Sequence, residues 1–159
     1  MQQSAPGRRN DDPLARDVPA GITCELIENA PPAISGLVDA GLDRHNAAAA
    51  ELDGVAPFTC LVRSPEGSVI GGANARRWGA CCEIQQMWVD EAHRGKGLGA
   101  QLVAEVESHA RRCRCTLLFL ETFSFQAPEF YGRLGFETAC AFAGFPGGVR
   151  KYIMRKSLD

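Results

Sequence analysis

The stretch Asp90-Glu91-Ala92-His93-Arg94-Gly95-Lys96-Gly97-Leu98-Gly99-Ala100 decides the fold, because the hydrophobic pattern changes across it. Before it, Cys82 to Val89 reads as a strand. After it, Leu98, Leu102, Val106, His109 and Cys113 recur every three or four residues, which predicts an amphipathic helix over 98–112. The next run, Cys115 to Leu120, is continuously apolar, as in a strand buried on both faces. Strand, glycine turn, helix and buried strand make a βαβ unit. Gly95, Gly97 and Gly99 permit positive φ and let the backbone approach a ligand closely. The amides of the turn and the helix N-terminus point the same way and form an anion site, to which Arg94 and Lys96 add positive charge. A diphosphate is the natural ligand of such a turn.

Other glycine turns compete with this reading. A nucleoside-triphosphate loop needs Gly-Lys followed by Ser or Thr, and Lys96 is followed by Gly97. A dinucleotide fold is a closer rival: Gly95 to Ala100 fits the G-x-G-x-x-A variant, and Glu121 ends the next strand where a ribose-binding acid belongs. Too few residues follow Glu121 to complete a doubly wound sheet, and the strands before the turn read as antiparallel. A glycine turn without a ligand also stays open from spacing alone.

Working outward, Phe58 to Arg63 and Ser68 to Arg76 read as strands joined by Ser64-Pro65-Glu66-Gly67, so 58–89 is an antiparallel meander. Upstream, Ile22 to Ile27 reads as a strand. Pro31-Pro32 opens a helix to about Asp43, and alanines favour a second helical piece from Asn46 to about Leu52. Downstream, Pro128 opens a short helix to Leu134, stopped by Gly135. Two last strands, about 136–142 and 150–157, flank the loop Ala143 to Val149. Residues 1–20 carry three prolines and alternating charges with no apolar periodicity. They read as a disordered leader or an expression remnant, not a signal peptide, leaving 21–159 as one domain.

The 159 residues are 45% hydrophobic and 23% charged, with a formal net charge of −2. That composition supports a core and gives no electrostatic reason to expect nucleic acid or an anionic membrane as partner. No apolar run approaches a membrane span. Seven cysteines, an odd number without a C-x-x-C pair, read as reduced core residues of a cytoplasmic protein rather than as a metal site.

The turn and its flanks resemble the GNAT superfamily of N-acetyltransferases. Arg94-Gly95-Lys96-Gly97-Leu98-Gly99 matches the family's [RQ]-x-x-G-x-[GA] signature in full. Trp88-Val89-Asp90-Glu91 and Phe130-Tyr131-Gly132-Arg133-Leu134-Gly135-Phe136 look like its flanking segments, and the order of elements matches over about 22–158. The resemblance implies an α/β fold with a mixed, mostly antiparallel sheet, a splayed parallel strand pair and helices on both sides. It implies transfer of an acetyl group from acetyl-coenzyme A to a primary amine, with no metal and a possible homodimer. Backbone groups around Met87, Trp88 and Val89 would bind the pantetheine arm, and Arg94, Gly95, Lys96, Gly97, Leu98 and Gly99 the pyrophosphate. Ser124 stands where many members have a cofactor-touching Asn, so it either contacts the cofactor or caps a helix. A catalytically silent acyl-coenzyme A sensor and a dinucleotide-binding oxidoreductase are the alternative functions.

The chemistry asks for a base to deprotonate the amine and an acid to protonate the leaving thiolate. Tyr131, at the family's tyrosine position, is the expected acid. Glu83, on the strand leading to the cofactor gap, is the expected base, with Gln85 on the same face by alternation. Glu121 is a second carboxylate. His45 and Asn46, after the first helix, and Phe145, in a glycine-rich loop able to move, are acceptor-site candidates beside Glu121. Trp88 is either core or cofactor wall, His109 a packed core residue, and His93 an exposed one.

Overall fold

The computed structural model describes residues 19, 21–49 and 54–159. The chain divides into two compact units, residues 1–45 and 46–159, and the sheet lies wholly in the second. The expected leader therefore falls almost entirely outside the described residues.

The first helix, α1 (Pro32–Ala49), is one continuous element where the sequence suggested two. Arg44-His45-Asn46 contains neither Gly nor Pro, and the alanines beyond carry the helix on. The expected end at Leu52 lies outside the described residues. Residues 22–27 do not form the expected strand: they have no ladder partner among the described residues, and an extended run without one is not a strand. No helix of the described residues is long and apolar enough to cross a membrane.

Six strands form one sheet in the order β1-β2-β3-β4-β6-β5. They are β1 (Ala56–Arg63), β2 (Val69–Trp78), β3 (Cys81–Val89), β4 (Leu117–Phe123), β5 (Glu137–Phe142) and β6 (Lys151–Ser157). Only β3 and β4 are parallel; β1–β2, β2–β3, β4–β6 and β5–β6 are antiparallel. That pattern is a mixed α/β sheet with flanking helices, and it removes the doubly wound dinucleotide fold. The helix expected over 98–112 is α2 (Leu98–Arg112), and the short helix after β4 is α3 (Pro128–Arg133).

One continuous core joins the two sheet halves. Ala73 and Ala75 of β2 and Cys82 and Ile84 of β3 meet Val103, Val106 and Ala110 of α2, and the same cluster takes in Leu118 and Leu120 of β4, Phe136 and Met154. Alternation sends the neighbouring residues to the other face, which is why Cys81 is exposed while Cys82 is buried. Of the seven cysteines, Cys82 and Cys115 are buried in the core and Cys60 and Cys113 pack half-buried against it, while Cys24, Cys81 and Cys140 are exposed, so the expectation of core cysteines holds for four and not for the other three. Burial, before all else, pushes the Cys82 thiol up to about 12. His109 packs its ring 4.3 Å from that of Phe58.

Candidate active site

The parallel pair parts company early. β3 and β4 pair from Cys81↔Leu117 to Ile84↔Leu120 and no further. Beyond that point β3 runs on to Val89 held only by β2, and β4 runs on to Phe123 held only by β6. The cause is local. Asn74 pairs with Gln86 and Ala75 with Ile84, so Gln85 is the extra residue of a β-bulge, which bends its strand and raises the local twist. Gln85–Val89 and Glu121–Phe123 thus face each other across a wedge whose edges lack ladder partners. A groove of about 1020 Å³ occupies it and continues to the turn before α2 and to α3. Unpaired edges of this kind can pair with an extended amide-bearing chain.

The turn closes one end of the groove. Asp90 caps the 3₁₀ turn Glu91–His93, accepting the Ala92 N–H at 3.0 Å and facing His93 Nδ1 at 3.0 Å. The hydrogen bond with His93, foremost, holds the Asp90 carboxyl below its usual range. Arg94 Nε donates to the Val89 carbonyl at 3.0 Å and Lys96 Nζ to the Ala92 carbonyl at 3.1 Å. Both cations thus brace the turn from inside. Gly97, at φ 82°, is the N-cap of α2 and brings no side-chain cap. The first helical bond runs from Gln101 N–H to the Gly97 carbonyl at 3.0 Å, so the Leu98, Gly99 and Ala100 amides meet no backbone acceptor among the described residues. All three residues line the groove. Gly99 has a further duty: a Cβ there would stand 3.2 Å from Phe130 Cζ, so its small size lets α2 and α3 approach.

The wall from α3 carries Tyr131. Ala127, at φ 62°, turns the chain and Pro128 opens the helix. A non-glycine residue at positive φ is strained, the kind of cost that gathers at functional sites. The Tyr131 ring is 8% exposed, edge-on to Phe130 at 5.0 Å and to Phe136 at 5.8 Å. Its hydroxyl has no hydrogen-bond partner among the described residues, and burial raises its pKa above the usual 10.

On the sheet face away from α2 stand Glu121 and Phe123, alternating with buried Leu120 and Thr122. Lys151, the register partner of Phe123, forms an ion pair with Glu121. Phe123 stacks on Phe125 at 5.4 Å and 8°, and meets Phe145 edge-on at 5.5 Å and 89°.

The groove brings together most of the residues singled out in the sequence: Met87, Trp88, Val89, Arg94, Gly95, Gly97, Leu98, Gly99, Glu121 and Tyr131 all line it. Trp88 is half exposed, at the rim, and not a core residue. The rest stand elsewhere. Lys96 turns back onto Ala92. The Ser124 hydroxyl accepts the Arg150 N–H at 3.1 Å, continuing the β4–β6 ladder, and does not line the groove. Glu83 is held by Arg76 at 2.6 Å, level with Phe119 and before the strands part, and it too is outside the lining. The bulge also breaks the alternation by which Gln85 was to share its face. Phe145 touches the groove only through Phe123. His45 and Asn46 lie inside α1, not in a turn after it.

Sequence reasoning gives no site role to several lining residues: Gln86, Phe123, Phe125, Lys151, and His93, which it reads only as exposed. Lys151 reaches the groove through the β4–β6 register, which no local pattern in the sequence marks. His93 precedes the phosphate turn, and its expected exposure is only partial, since its ring folds back to Asp90 at the groove wall.

Comparison with known proteins agrees with this geometry. The acetyltransferase (GNAT) family matches over residues 30–136. Blasticidin-S acetyltransferase of Streptomyces morookaense is 33% identical over 108 residues, which is 67% of this chain and 77% of that protein. The crystal structure of an acetyltransferase from Bacillus cereus superposes with TM-score 0.70 at 28% identity, covering 84% of this chain and 97% of that one. A protein described as a streptothricin acetyltransferase from Bacillus anthracis, solved with acetyl coenzyme A, gives TM-score 0.58 at 20% identity over 65% of this chain and 63% of its own. By fold, by the turn at 94–99 and by the match over most of its length, the chain belongs to the GNAT family of acetyltransferases.

Proposed function

We propose that the protein transfers an acetyl group from acetyl-coenzyme A to a primary amine. The observation that carries this reading is the wedge between β3 and β4 ending at the open N-terminus of α2. The three free amides of Leu98, Gly99 and Ala100 suit a diphosphate, and the unpaired edge Gln85–Val89 suits the amides of a pantetheine arm. No group of metal-ligating side chains occurs among the described residues, and none is asked for by this chemistry.

When bound, acetyl-coenzyme A supplies an activated thioester carbonyl. The chain's own groups do the rest. A backbone N–H on the open edge of β3 can take the negative charge that develops on the carbonyl oxygen. Tyr131, a phenol neutral at ordinary pH and held more firmly so by burial, can give its proton to the leaving thiolate. Of the two carboxylates considered as base, each is ion-paired, Glu83 with Arg76 and Glu121 with Lys151, but Glu121 is the better placed because it lines the groove and Glu83 does not. Ordinary alkylamines near pKa 10 arrive protonated, so Glu121 or a water beside it must remove a proton before attack. The acceptor named in the description of the relative, blasticidin S, belongs in the first panel of amines.

Release of coenzyme A thiol, followed across such a panel with the acetylated product identified by mass spectrometry, tests the reading. Amine-dependent release with an N-acetyl product is expected. Binding of acetyl-coenzyme A with no release for any amine would make the protein a sensor instead.

A further inference from the structure

The far wall of the groove is more aromatic than transfer of an acetyl group requires. Phe123, Phe125 and Phe145 form one cluster at the end of β4, where Phe123 is covered by the other two and Phe125 stacks on it with one face only. Phe125 is 71% exposed although it lines the groove. A large ring held parallel to its neighbour, with its outer face bare, adds little to folding and offers a flat docking platform. Beside it stands a charge arrangement with the same directionality. Glu121 is paired to Lys151, and the Lys151 ammonium lies 5.9 Å from the centre of the Phe123 ring. The pair is solvent-exposed on both sides, at 48% and 30% of the side chains, so it is weak and readily exchanged. Across the opening, Gln86 is held in place by the Asn74 amide at 3.1 Å, while the Gln85 side chain makes no hydrogen bond among the described residues.

We infer that this wall is the acceptor subsite, and that it selects a primary amine carried on a flat aromatic or heteroaromatic body. The inference rests on the acetyl-transfer reading above and deepens it. The flat body lies on the bare face of Phe125, and the acceptor ammonium takes the place of Lys151 at Glu121. Lys151 is thus an internal stand-in for the substrate cation: it keeps the carboxylate satisfied in the empty protein and yields it on binding. Phe145, edge-on to Phe123, holds the platform from behind. The position of the cluster favours acceptor over cofactor. Glu121 and Phe123 project from the sheet face away from α2, whereas Tyr131 and the free amides of α2 lie on the other.

The test uses matched amines, 2-phenylethylamine, tyramine and histamine against n-hexylamine and cadaverine, with the full-length wild type and Phe125→Ala. The wild type should favour the ring-bearing set in kcat/KM by roughly tenfold, as expected when one ring face is desolvated. Phe125→Ala should cut kcat/KM for the ring-bearing set by about tenfold more than for the aliphatic set, with the change in the acceptor KM. Lys151→Met should lower the acceptor KM by removing the competing cation. Equal losses for both sets, or a change confined to the acetyl-coenzyme A KM, would overturn the proposal and assign the platform to the cofactor. If no amine is acetylated, the transfer reading fails separately. Calorimetric titration of the same amines into the coenzyme A complex then decides the subsite: preferential binding of the ring-bearing set, lost in Phe125→Ala, supports it, and indifferent or absent binding overturns it.

Discussion

Replacing Tyr131 by Phe separates chemistry from packing more cleanly than any other change in the groove. The ring is wedged edge-on between Phe130 and Phe136, at 5.0 and 5.8 Å, and the substitution preserves both contacts. The hydroxyl has no hydrogen-bond partner among the described residues, so its removal orphans nothing and should leave stability within about 1 kcal/mol of wild type. The cost falls on turnover instead. A positioned general acid contributes roughly 10²- to 10⁴-fold, which at about 1.4 kcal/mol per tenfold is about 3–6 kcal/mol of barrier. Steady-state coenzyme A release should show kcat lower by that factor and an unchanged acetyl-coenzyme A KM, because the diphosphate end of the groove is untouched. The pH dependence gives a second signature. Burial raises the phenol pKa above its ordinary 10, so the acid stays protonated and competent up to that range, and any loss from its ionisation begins only above it. That limb should vanish in the Phe variant. A Tyr131→Phe enzyme with wild-type kcat under chemistry-limited conditions would refute the reasoning and leave the tyrosine a packing residue.

Three further outcomes follow from separate parts of the structure. Phe145→Ala removes an edge-to-face contact worth about 0.5–1.5 kcal/mol, so the acceptor KM should rise roughly two- to twelvefold in steady-state assays while the acetyl-coenzyme A KM stays put. Burial works against the charged form of Glu107, but hydrogen bonds from Lys156 and Arg111 outweigh it and lower its pKa. Its stabilisation, of order 1–2 kcal/mol, is therefore present above the unfolded value near 4.5 and lost as pH falls below it; Glu107→Gln should lower the melting temperature at pH 7, and the gap to wild type should close in acid. The Cys82 thiol, at about 12 and fully buried, should resist alkylation near pH 8 for as long as the protein stays folded, while exposed Cys81 reacts at once; peptide mapping that finds both modified at the same rate would contradict the packing of β3.

Much of this was legible in the sequence because local pattern and tertiary role coincide there. The helix of 98–112 has one apolar stripe and one partner surface, and its predicted bounds match α2. The glycine turn was legible because positive φ at Gly95 and Gly97 can be supplied cheaply by one residue type only. What stayed hidden depends on pairings between distant residues. The bulge at Gln85 leaves no compositional mark, yet it opens the wedge, and it is the reason Glu83 stops short of the groove while Gln86 lines it. The aromatic wall needs Phe123, Phe125 and Phe145 to meet from a strand, a turn and a distant loop, which spacing cannot show. Lys151 had no motif at all; it reaches Glu121 only through the β4–β6 register. The misread break in α1 has the opposite origin: a polar Arg44-His45-Asn46 looked like a turn, and helix propagation through alanine overrode it.

The central claim is that the turn at 94–99 and the wedge beside it hold acetyl-coenzyme A. Calorimetric titration of acetyl-coenzyme A into the wild type and into Gly97→Val, each checked for folding by thermal denaturation, tests it most directly. Gly97 sits at φ 82° and a Cβ there would meet nothing within 4 Å, so the valine fills only space open to a ligand, at a backbone cost of about 1–3 kcal/mol. The account predicts saturable one-to-one binding to the wild type and a loss of affinity of roughly tenfold or more in a still-folded variant, as expected when the phosphates can no longer reach the α2 amides. Equal affinity in the two folded proteins, or no binding to the wild type, would contradict it.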